Sequence, residues 1–151
     1  MHPSPPAAPT RVPTDTTARA PGASRLLLLA HGSRRAQWAS PFEQLRELLR
    51  ARDAALDVEL CFLESMTPLL PQALDEAAAC GRAAVLVVPM FLGNGAHLAR
   101  DVEQQLRAAR ERHPAMRIEL GAAAGDSPIV LRALAEHALQ CLLRGDGRAP
   151  A

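Results

Sequence analysis

Four short apolar runs alternate with longer stretches of helical periodicity along this chain. The runs are rich in aliphatic residues, the composition of strands that are buried on both faces of a sheet. They cover residues 25–30, 57–63, 83–90 and 117–120. Strands that alternate with helices in this way form parallel sheets through right-handed crossovers. The pattern therefore predicts an α/β fold, an open sheet of about four parallel strands with helices on both faces.

Each apolar run leads into a stretch in which apolar residues recur every three or four positions. Ser-Pro or Thr-Pro pairs at 40–41, 67–68 and 127–128 predict helix starts, because Ser and Thr cap helices and proline fits the first turn. Gly81 and Gly145 predict left-handed helix ends. The last helix is expected to bury a stripe formed by Val130, Leu131, Leu134, Ala138, Cys141 and Leu142.

The chain is long enough to bury one core and too short to bury two. Residues 1–24 contain six of the 13 prolines and no apolar run, so they are predicted to be a disordered leader and not a secretory signal. Residues 146–151 are predicted to be a disordered tail. The remaining residues, 25–145, are predicted to form a single α/β domain.

Charge and cysteine content narrow the function classes. The formal net charge is +1, and no apolar run approaches the roughly 18 residues of a membrane span, so neither nucleic acid nor a membrane is an expected partner. The cysteines Cys61, Cys80 and Cys141 are odd in number and form no CxxC motif. They predict buried free thiols in a cytoplasmic protein, and neither a disulfide framework nor a zinc-thiolate site.

Chemically active residues follow three of the four predicted strands. His31 comes directly after the first run, Glu64 after the second and His97 soon after the third, and 33 residues separate each from the next. One βαβ step takes about 30 residues, and ligands of such sheets bind at the carboxyl ends of the strands. We therefore expect these three residues on one rim. Two imidazoles and a carboxylate suit divalent Co, Fe, Ni or Zn, with positions left open for a substrate.

Each of these residues also has a plain structural interpretation. A histidine after a strand is commonly a loop residue or a helix cap, and an acid ahead of a helix is favoured by the helix dipole. Trp38 could stack on a flat ligand or pack the first helix. His113 and His137 are expected to be a loop residue and a helix-surface residue, and they are assigned no chemistry.

Three separated segments of the chain resemble the sirohydrochlorin chelatases. They are LLLLAHGSR at 26–34, FLE at 62–64, and VPMFL at 88–92 followed by GAH at 95–97. The resemblance extends over about 26–142 and includes the short cobalt-inserting form and the iron-inserting relatives. It implies the chelatase fold, which is a flavodoxin-like α/β sandwich, and it implies a homodimer because short members of the family pair.

The resemblance implies that the chain inserts a divalent metal, Co²⁺, Fe²⁺ or Ni²⁺, into the tetrapyrrole sirohydrochlorin on the way to cobalamin or siroheme. His31 and His97 match the metal-binding histidines of the family, and Glu64 matches the acidic residue associated with that site. Neutral histidines would bind the ion loosely enough to release it and would accept the pyrrole protons, with Glu64 assisting. No permanently bound cofactor is expected, because the metal is a substrate.

A second set of residues around the rim is expected to hold the substrate. Sirohydrochlorin carries several carboxylates, which arginine binds through paired hydrogen bonds, although exposed arginines are also commonly solvated. The expected substrate-binding residues are Ser33, Arg34, Arg35, Gly95 and Arg100. The chain departs from the family at 121–125, where GAAAG replaces an expected proline-containing link, so the fourth rim loop is left without a role.

Two other function classes fit part of this pattern. A non-enzymatic metal-binding or metallochaperone module could use the same three rim residues. A histidine phosphatase also places His-Gly directly after its first strand, but its phosphate pocket requires an arginine immediately before that histidine. Ala30 occupies that position here, which argues against the phosphatase. The chelatase that the resemblance implies is the predicted function, and the metal-binding module stays as the alternative.

Overall fold

A computed structural model describes residues 24–93 and 95–145 of the chain. The elements are β1 (Ser24–Ala30), α1 (Ser40–Arg52), β2 (Val58–Phe62), α2 (Leu70–Ala79), β3 (Ala84–Pro89), α3 (Ala96–Arg112), β4 (Arg117–Leu120) and α4 (Pro128–Arg144), with short 3-10 turns at Ala36–Ala39 and Ala124–Asp126. The strands form one parallel sheet in the order β2-β1-β3-β4. The predicted tail, and the predicted leader except Ser24, lie outside the described residues.

Helices cover both faces of the sheet, as the sequence predicts. On one face, Leu27, Leu29, Val85 and Val87 pack with α2 and α3 in the larger core cluster. On the other face, the alternate residues of β1 and β2 pack with α1 in a second cluster. Because β1 is buried on both sides, it needs the continuous apolar run seen in the sequence. The predicted α/β sandwich is confirmed.

The two edge strands each have a carbonyl capped by an arginine from the preceding helix. Arg50 Nη2 donates to the Val58 oxygen of β2 at 3.0 Å, and Arg110 Nε donates to the Ile118 oxygen of β4 at 3.1 Å. A capped carbonyl is no longer available to pair with a strand from another chain. These bonds therefore block one pairing position on each edge of the sheet.

An ion-pair network closes the end of the sheet where β1 begins. Arg25 is buried, and its guanidinium contacts Asp57 Oδ2 at 2.9 Å and Glu76 Oε1 at 3.4 Å. Burial by itself would lower the pKa of Arg25, but the hydrogen bonds and charges of Asp57 and Glu76 outweigh burial and raise that pKa. The network joins β1 to α2 at the end opposite the predicted rim.

The helix ends follow the predictions more closely than the helix starts do. Gly81 and Gly145 have φ values of +71° and +68°, so the predicted left-handed ends are confirmed. The Thr67-Pro68 pair does not start a helix: the bond between the two residues is cis, and α2 begins only at Leu70. The Gln72 side chain caps α2 instead, because its Oε1 accepts a hydrogen bond from the Leu69 amide at 2.8 Å.

The predicted buried stripe of α4 is wrong. None of the α4 residues is buried, and none belongs to either core cluster of the described residues. Val130 and Cys141 are half-buried, whereas the other four residues of the stripe are exposed. The helix packs mainly against the 3-10 turn that precedes it. Helical periodicity predicts an apolar face correctly here, but the sheet of the same chain does not cover that face.

The three cysteines are free, but they are not all buried as predicted. Cys61 is buried in β2, Cys80 is exposed at the end of α2 and Cys141 is half-buried. Burial raises the pKa of the Cys61 thiol to about 12. Cys80 is exposed because it follows the last residue of α2, Ala79, and lies beyond the turn that packs on the sheet. Within 24–93 and 95–145, no helix is long and apolar enough to cross a membrane.

His113 follows the end of α3, as expected of a loop residue, but its side chain is half-buried and not exposed as predicted. Its Nε2 lies 2.6 Å from Asp75 Oδ1, and Arg112 Nη2 lies 3.0 Å from the same oxygen. The hydrogen bond from His113, followed by the bond and charge of Arg112, lowers the pKa of Asp75. The cluster joins the end of α3 to α2.

Replacing Asp75 with asparagine should lower the free energy of unfolding, and the loss should depend on pH. The pKa of Asp75 is lower in the folded chain than the ordinary value of about 3.9. Its contribution is therefore present above that value and disappears as the pH falls below it. Because Asp75 is half exposed, we expect less than about 1 kcal/mol near neutral pH. Urea unfolding of both proteins between pH 7 and pH 2.5 measures this difference in the free energy of unfolding. A difference that grows on acidification would contradict the stabilising role of the Asp75 carboxylate.

Candidate functional site

The carboxyl ends of β1, β2 and β3 form one rim, as predicted. Ala30 is in register with Phe62, and Leu29 is in register with Pro89, so the three strands end at nearly the same level. The pairing of β1 with β2 continues past the strands. The Leu63 amide donates to the Ala30 oxygen and the Glu64 amide donates to the His31 oxygen, each at 3.1 Å. These bonds place His31 and Glu64 side by side.

His31 and Glu64 also meet through their side chains. His31 Nε2 lies 3.3 Å from Glu64 Oε1, and the two side chains are 52% and 64% exposed. The His31 ring packs edge-on against Phe91, with ring centroids 6.4 Å apart and planes at 77°. The imidazole is therefore held between a carboxylate and an aromatic ring while about half of its surface stays exposed. An exposed nitrogen and an exposed carboxylate at this distance are suited to share a divalent cation.

Gly32 permits the close approach of these two loops. Its φ is +99°, a conformation that residues with a Cβ rarely adopt. A Cβ at this position would lie 1.8 Å from the backbone oxygen of Glu64. Gly32 thus lets the His31 loop pack directly against the Glu64 backbone. The sequence analysis did not predict this role.

The fourth rim loop, which had no predicted role, holds the third loop in place. The Gly125 amide donates to the Phe91 oxygen at 2.8 Å, and a Cβ on Gly125 would lie 2.0 Å from the Leu92 oxygen. Gly125 therefore fixes the backbone that carries Phe91, the residue against which His31 packs. The GAAAG sequence gives no signal of this contact, because the partner lies more than 30 residues away.

Replacing Gly125 with alanine should displace the third loop. The added methyl group would overlap the Leu92 backbone, and we expect a loss of about 1–3 kcal/mol in the free energy of unfolding. The His31 ring resonances in an NMR spectrum should also shift, because Phe91 moves relative to that ring. Gly93→Ala is the matched control, since a Cβ there meets no atom within 4 Å. Unchanged His31 resonances in a folded Gly125→Ala protein would contradict the proposed link.

His97 is on the same rim but does not join His31 and Glu64 in a cluster. It is exposed in the first turn of α3. In the described part of the chain, no group of three His, Cys, Asp or Glu side chains could hold a metal ion. The structure brings together two of the three predicted ligands, and the ligand role of His97 stays a prediction.

The residues predicted to hold the substrate surround this pair in different ways. Ser33 is half-buried, and its Oγ accepts a hydrogen bond from the Arg35 amide at 3.2 Å, so it shapes its own loop. Arg34 and Arg35 are exposed and available to an anion. Arg100 is exposed three residues after His97, which places both on one side of α3. Gly95 precedes α3 with a φ of −66°, which any residue can adopt.

Of the two roles that the sequence allows for Trp38, stacking on a ligand and packing the first helix, the structure shows packing. Its ring lies 5.0 Å from the Phe42 ring, and both residues pack on the α1 side of the sheet. Trp38 therefore contributes to the core under α1. Phe91, which the sequence analysis did not single out, is the aromatic residue that contacts the candidate site.

Comparison with known sequences gives a consistent result. The family model described as CbiX matches residues 25–141. The sirohydrochlorin cobaltochelatase of Methanocaldococcus jannaschii is 33% identical over 88 residues, covering 58% of this chain and 62% of that protein. The sirohydrochlorin ferrochelatase of Priestia megaterium is 27% identical over 115 residues, covering 74% of this chain and 42% of that protein. The chain thus spans less than two thirds of the length of these curated relatives.

Solved structures agree on the fold. A CbiX protein from Marinobacter aquaeolei VT8 superposes with a TM-score of 0.71 at 29% identity, covering 80% of this chain and 98% of that one. The sirohydrochlorin chelatase SirB from Bacillus subtilis, in complex with cobalt, has a TM-score of 0.67 at 26% identity, covering 78% of this chain and 50% of that one. The resemblance drawn from three short segments is confirmed, and the chain belongs to the CbiX family.

Proposed function

We propose that this protein is a sirohydrochlorin chelatase, a lyase that inserts Co²⁺ or Fe²⁺ into the tetrapyrrole sirohydrochlorin. The observation that carries the proposal is the exposed contact of His31 Nε2 with Glu64 Oε1, at 3.3 Å on the rim of a CbiX-family sheet. Relatives in this family are named for both metals. Imidazole and carboxylate ligands accept either ion, so the proposal does not choose between them.

The chemistry of insertion fits this pair of side chains. The metal must lose part of its hydration shell, reach the pyrrole nitrogens and replace two N–H protons. His31 and Glu64 would replace water on the ion, and their exposure leaves the ion accessible to a large flat substrate. We propose that His31 and His97 bind the metal and accept the pyrrole protons. Glu64 would lower the net charge of the bound ion and assist proton transfer.

The remaining rim residues would bind the macrocycle. The carboxylates of sirohydrochlorin would pair with three exposed arginines: Arg34 and Arg35 on the loop after β1, and Arg100 in the first turns of α3, just after the loop that follows β3. Ser33 and Gly95 would contribute through the shape of those loops. These five assignments rest on position and charge.

The family also bears on the oligomeric state and the cofactor requirement that we propose for the protein. We propose a homodimer that carries no permanently bound cofactor, because the metal enters as a substrate and leaves in the product. The free cysteines favour a reducing compartment, so we place the reaction in the cytoplasm. The product would supply cobalamin or siroheme synthesis, according to the metal inserted.

Absorption spectroscopy tests the proposal directly. Purified protein is mixed anaerobically with sirohydrochlorin and Co²⁺, Fe²⁺ or Ni²⁺, and the shift of the tetrapyrrole bands is compared with the protein-free rate. We expect acceleration with Co²⁺ or Fe²⁺. Binding of the metal without acceleration by any of the three ions would identify a metal-binding module and would overturn the enzymatic proposal.

A further inference from the structure

Two side chains of metal-binding type contact each other on helix α4, away from the rim. His137 and Cys141 are four residues apart, so they lie one turn apart on the same side of the helix. His137 Nε2 lies 3.7 Å from Cys141 Sγ. The sequence contains no CxxC motif, and His137 was expected to be a helix-surface residue without chemistry. The helix nevertheless brings an imidazole and a thiol together.

The spacing of these two residues is one that helices use to bind metals. Two histidines four residues apart on one helix face hold zinc in HExxH motifs. The segment HALQC at 137–141 has the same spacing, with a thiol in the second position. Because α4 is continuous from Pro128 to Arg144, the backbone fixes where both side chains begin. A metal bound here therefore has to order only the two side chains.

The distance between the two donor atoms matches tetrahedral coordination of a single ion. Zinc binds thiolate sulfur at about 2.3 Å and imidazole nitrogen at about 2.1 Å, and at the tetrahedral angle these bonds place the two atoms about 3.6 Å apart. The observed distance of 3.7 Å is close to this value. The pair of His113 and Asp75 differs, because its nitrogen and oxygen are only 2.6 Å apart, which is a hydrogen-bond distance.

The pair on α4 is accessible to an ion from solvent. His137 is exposed and Cys141 is half-buried. Neither residue belongs to a core cluster, so an ion can reach the two donor atoms without rearrangement of the sheet. Within the described residues, no third His, Cys, Asp or Glu side chain completes the group. Water would therefore fill the remaining coordination positions.

We propose that His137 and Cys141 form a second metal site, which binds thiophilic divalent ions such as Zn²⁺ and Co²⁺. A thiolate ligand favours these ions over Mg²⁺ and Ca²⁺. The Cys141 thiol would release its proton to solvent on binding, because only the thiolate is a ligand. The candidate site at the rim offers nitrogen and oxygen donors and no sulfur. The inference does not depend on the chelatase reaction proposed above.

Absorption spectroscopy with Co²⁺ tests for this site, because a thiolate ligand gives bound cobalt an intense near-ultraviolet charge-transfer band. The reduced protein is titrated anaerobically with Co²⁺ in the absence of tetrapyrrole. We expect the band in the unmodified chain and its loss in Cys141→Ser. His137→Ala should need at least about 10-fold more Co²⁺ to reach half of the band intensity, because one of the two ligands is gone.

Two variants serve as controls for the cobalt titration. Cys80→Ser removes the other exposed thiol, whose neighbour one turn earlier is Glu76, a residue that pairs with Arg25. His31→Ala alters only the rim. Both proteins should keep the band and its Co²⁺ dependence. Circular dichroism should show that all four variants stay folded, because none of the substituted side chains belongs to a core cluster.

Three results of the titration would overturn the proposal. The first is an unmodified chain without the charge-transfer band, and the second is a band that survives Cys141→Ser. The third is a band in His137→Ala with unchanged Co²⁺ dependence, because the thiolate would then bind the ion without the imidazole.

Competition between ions tests the proposed preference. Zn²⁺ should displace Co²⁺ and remove the band, whereas excess Mg²⁺ should leave it unchanged. Displacement by Mg²⁺, or a failure of Zn²⁺ to displace Co²⁺, would contradict a site of this chemistry. A chain that shows the band but does not accelerate metal insertion would refute the reaction proposed above and leave this inference standing.

Discussion

Replacing Gly32 with alanine is expected to cost about 3 kcal/mol in the free energy of unfolding and most of the metal-insertion activity. Two independent features of the structure oppose a side chain there. The backbone has a φ of +99°, and the new Cβ would lie 1.8 Å from the Glu64 oxygen. Relief of that overlap must move the loop of His31 away from the loop of Glu64. The expected damage is therefore to the distance between the two residues as well as to stability.

Urea unfolding and the insertion assay measure the two effects of Gly32→Ala separately. Gly93→Ala is the control, because this rim glycine has open space around its Cβ position and a φ outside the left-handed region. It should change the free energy of unfolding by less than about 0.5 kcal/mol. A Gly32→Ala protein with unaltered stability and activity would show that the two loops are not held together as described.

Removing the functional groups of the rim should abolish activity without unfolding the protein. We expect His31→Ala and His97→Ala each to lower kcat/KM by at least about 100-fold, and Glu64→Gln by about 10-fold or more. The side chains of His31 and Glu64 are more than half exposed, so their loss leaves no cavity in the core. Melting temperatures should therefore stay within a few degrees of the unmodified value.

Steady-state kinetics and circular dichroism on the same preparations check this prediction. His137→Ala is the control, because this histidine is exposed on α4, away from the rim. It should keep full activity. Loss of folded structure in His97→Ala would indicate a structural role for that residue, and retained activity in His31→Ala would remove it from the reaction.

The sheet and its rim could be predicted from sequence because both depend on local patterns. A strand that is buried on both faces needs a continuous apolar run, which is why residues 25–30 identified the central β1. The spacing of 33 residues predicted that His31 and Glu64 lie together, because each βα step returns the chain to the same edge. The contact at 3.3 Å confirms that inference for these two residues.

Features that depend on distant partners could not be predicted in the same way. The position of Gly125 against Leu92 depends on two loops that are far apart in the sequence, and GAAAG carries no mark of it. The Thr67-Pro68 pair suits a helix start, yet the bond is cis and α2 begins two residues later. In α4, the periodicity identified an apolar face correctly. It could not show whether the sheet of the chain covers this face, because helical spacing contains no information about what a helix packs against.

Anomalous X-ray scattering from crystals soaked in Co²⁺ tests most directly whether the His31 and Glu64 pair is the metal site. Data collected on both sides of the cobalt absorption edge locate the ion without assumptions about its ligands. We predict one strong peak about 2.1 Å from His31 Nε2 and within coordination distance of a Glu64 carboxylate oxygen. A peak only at another donor pair, such as His113 with Asp75 or His137 with Cys141, and none at His31 would contradict the account.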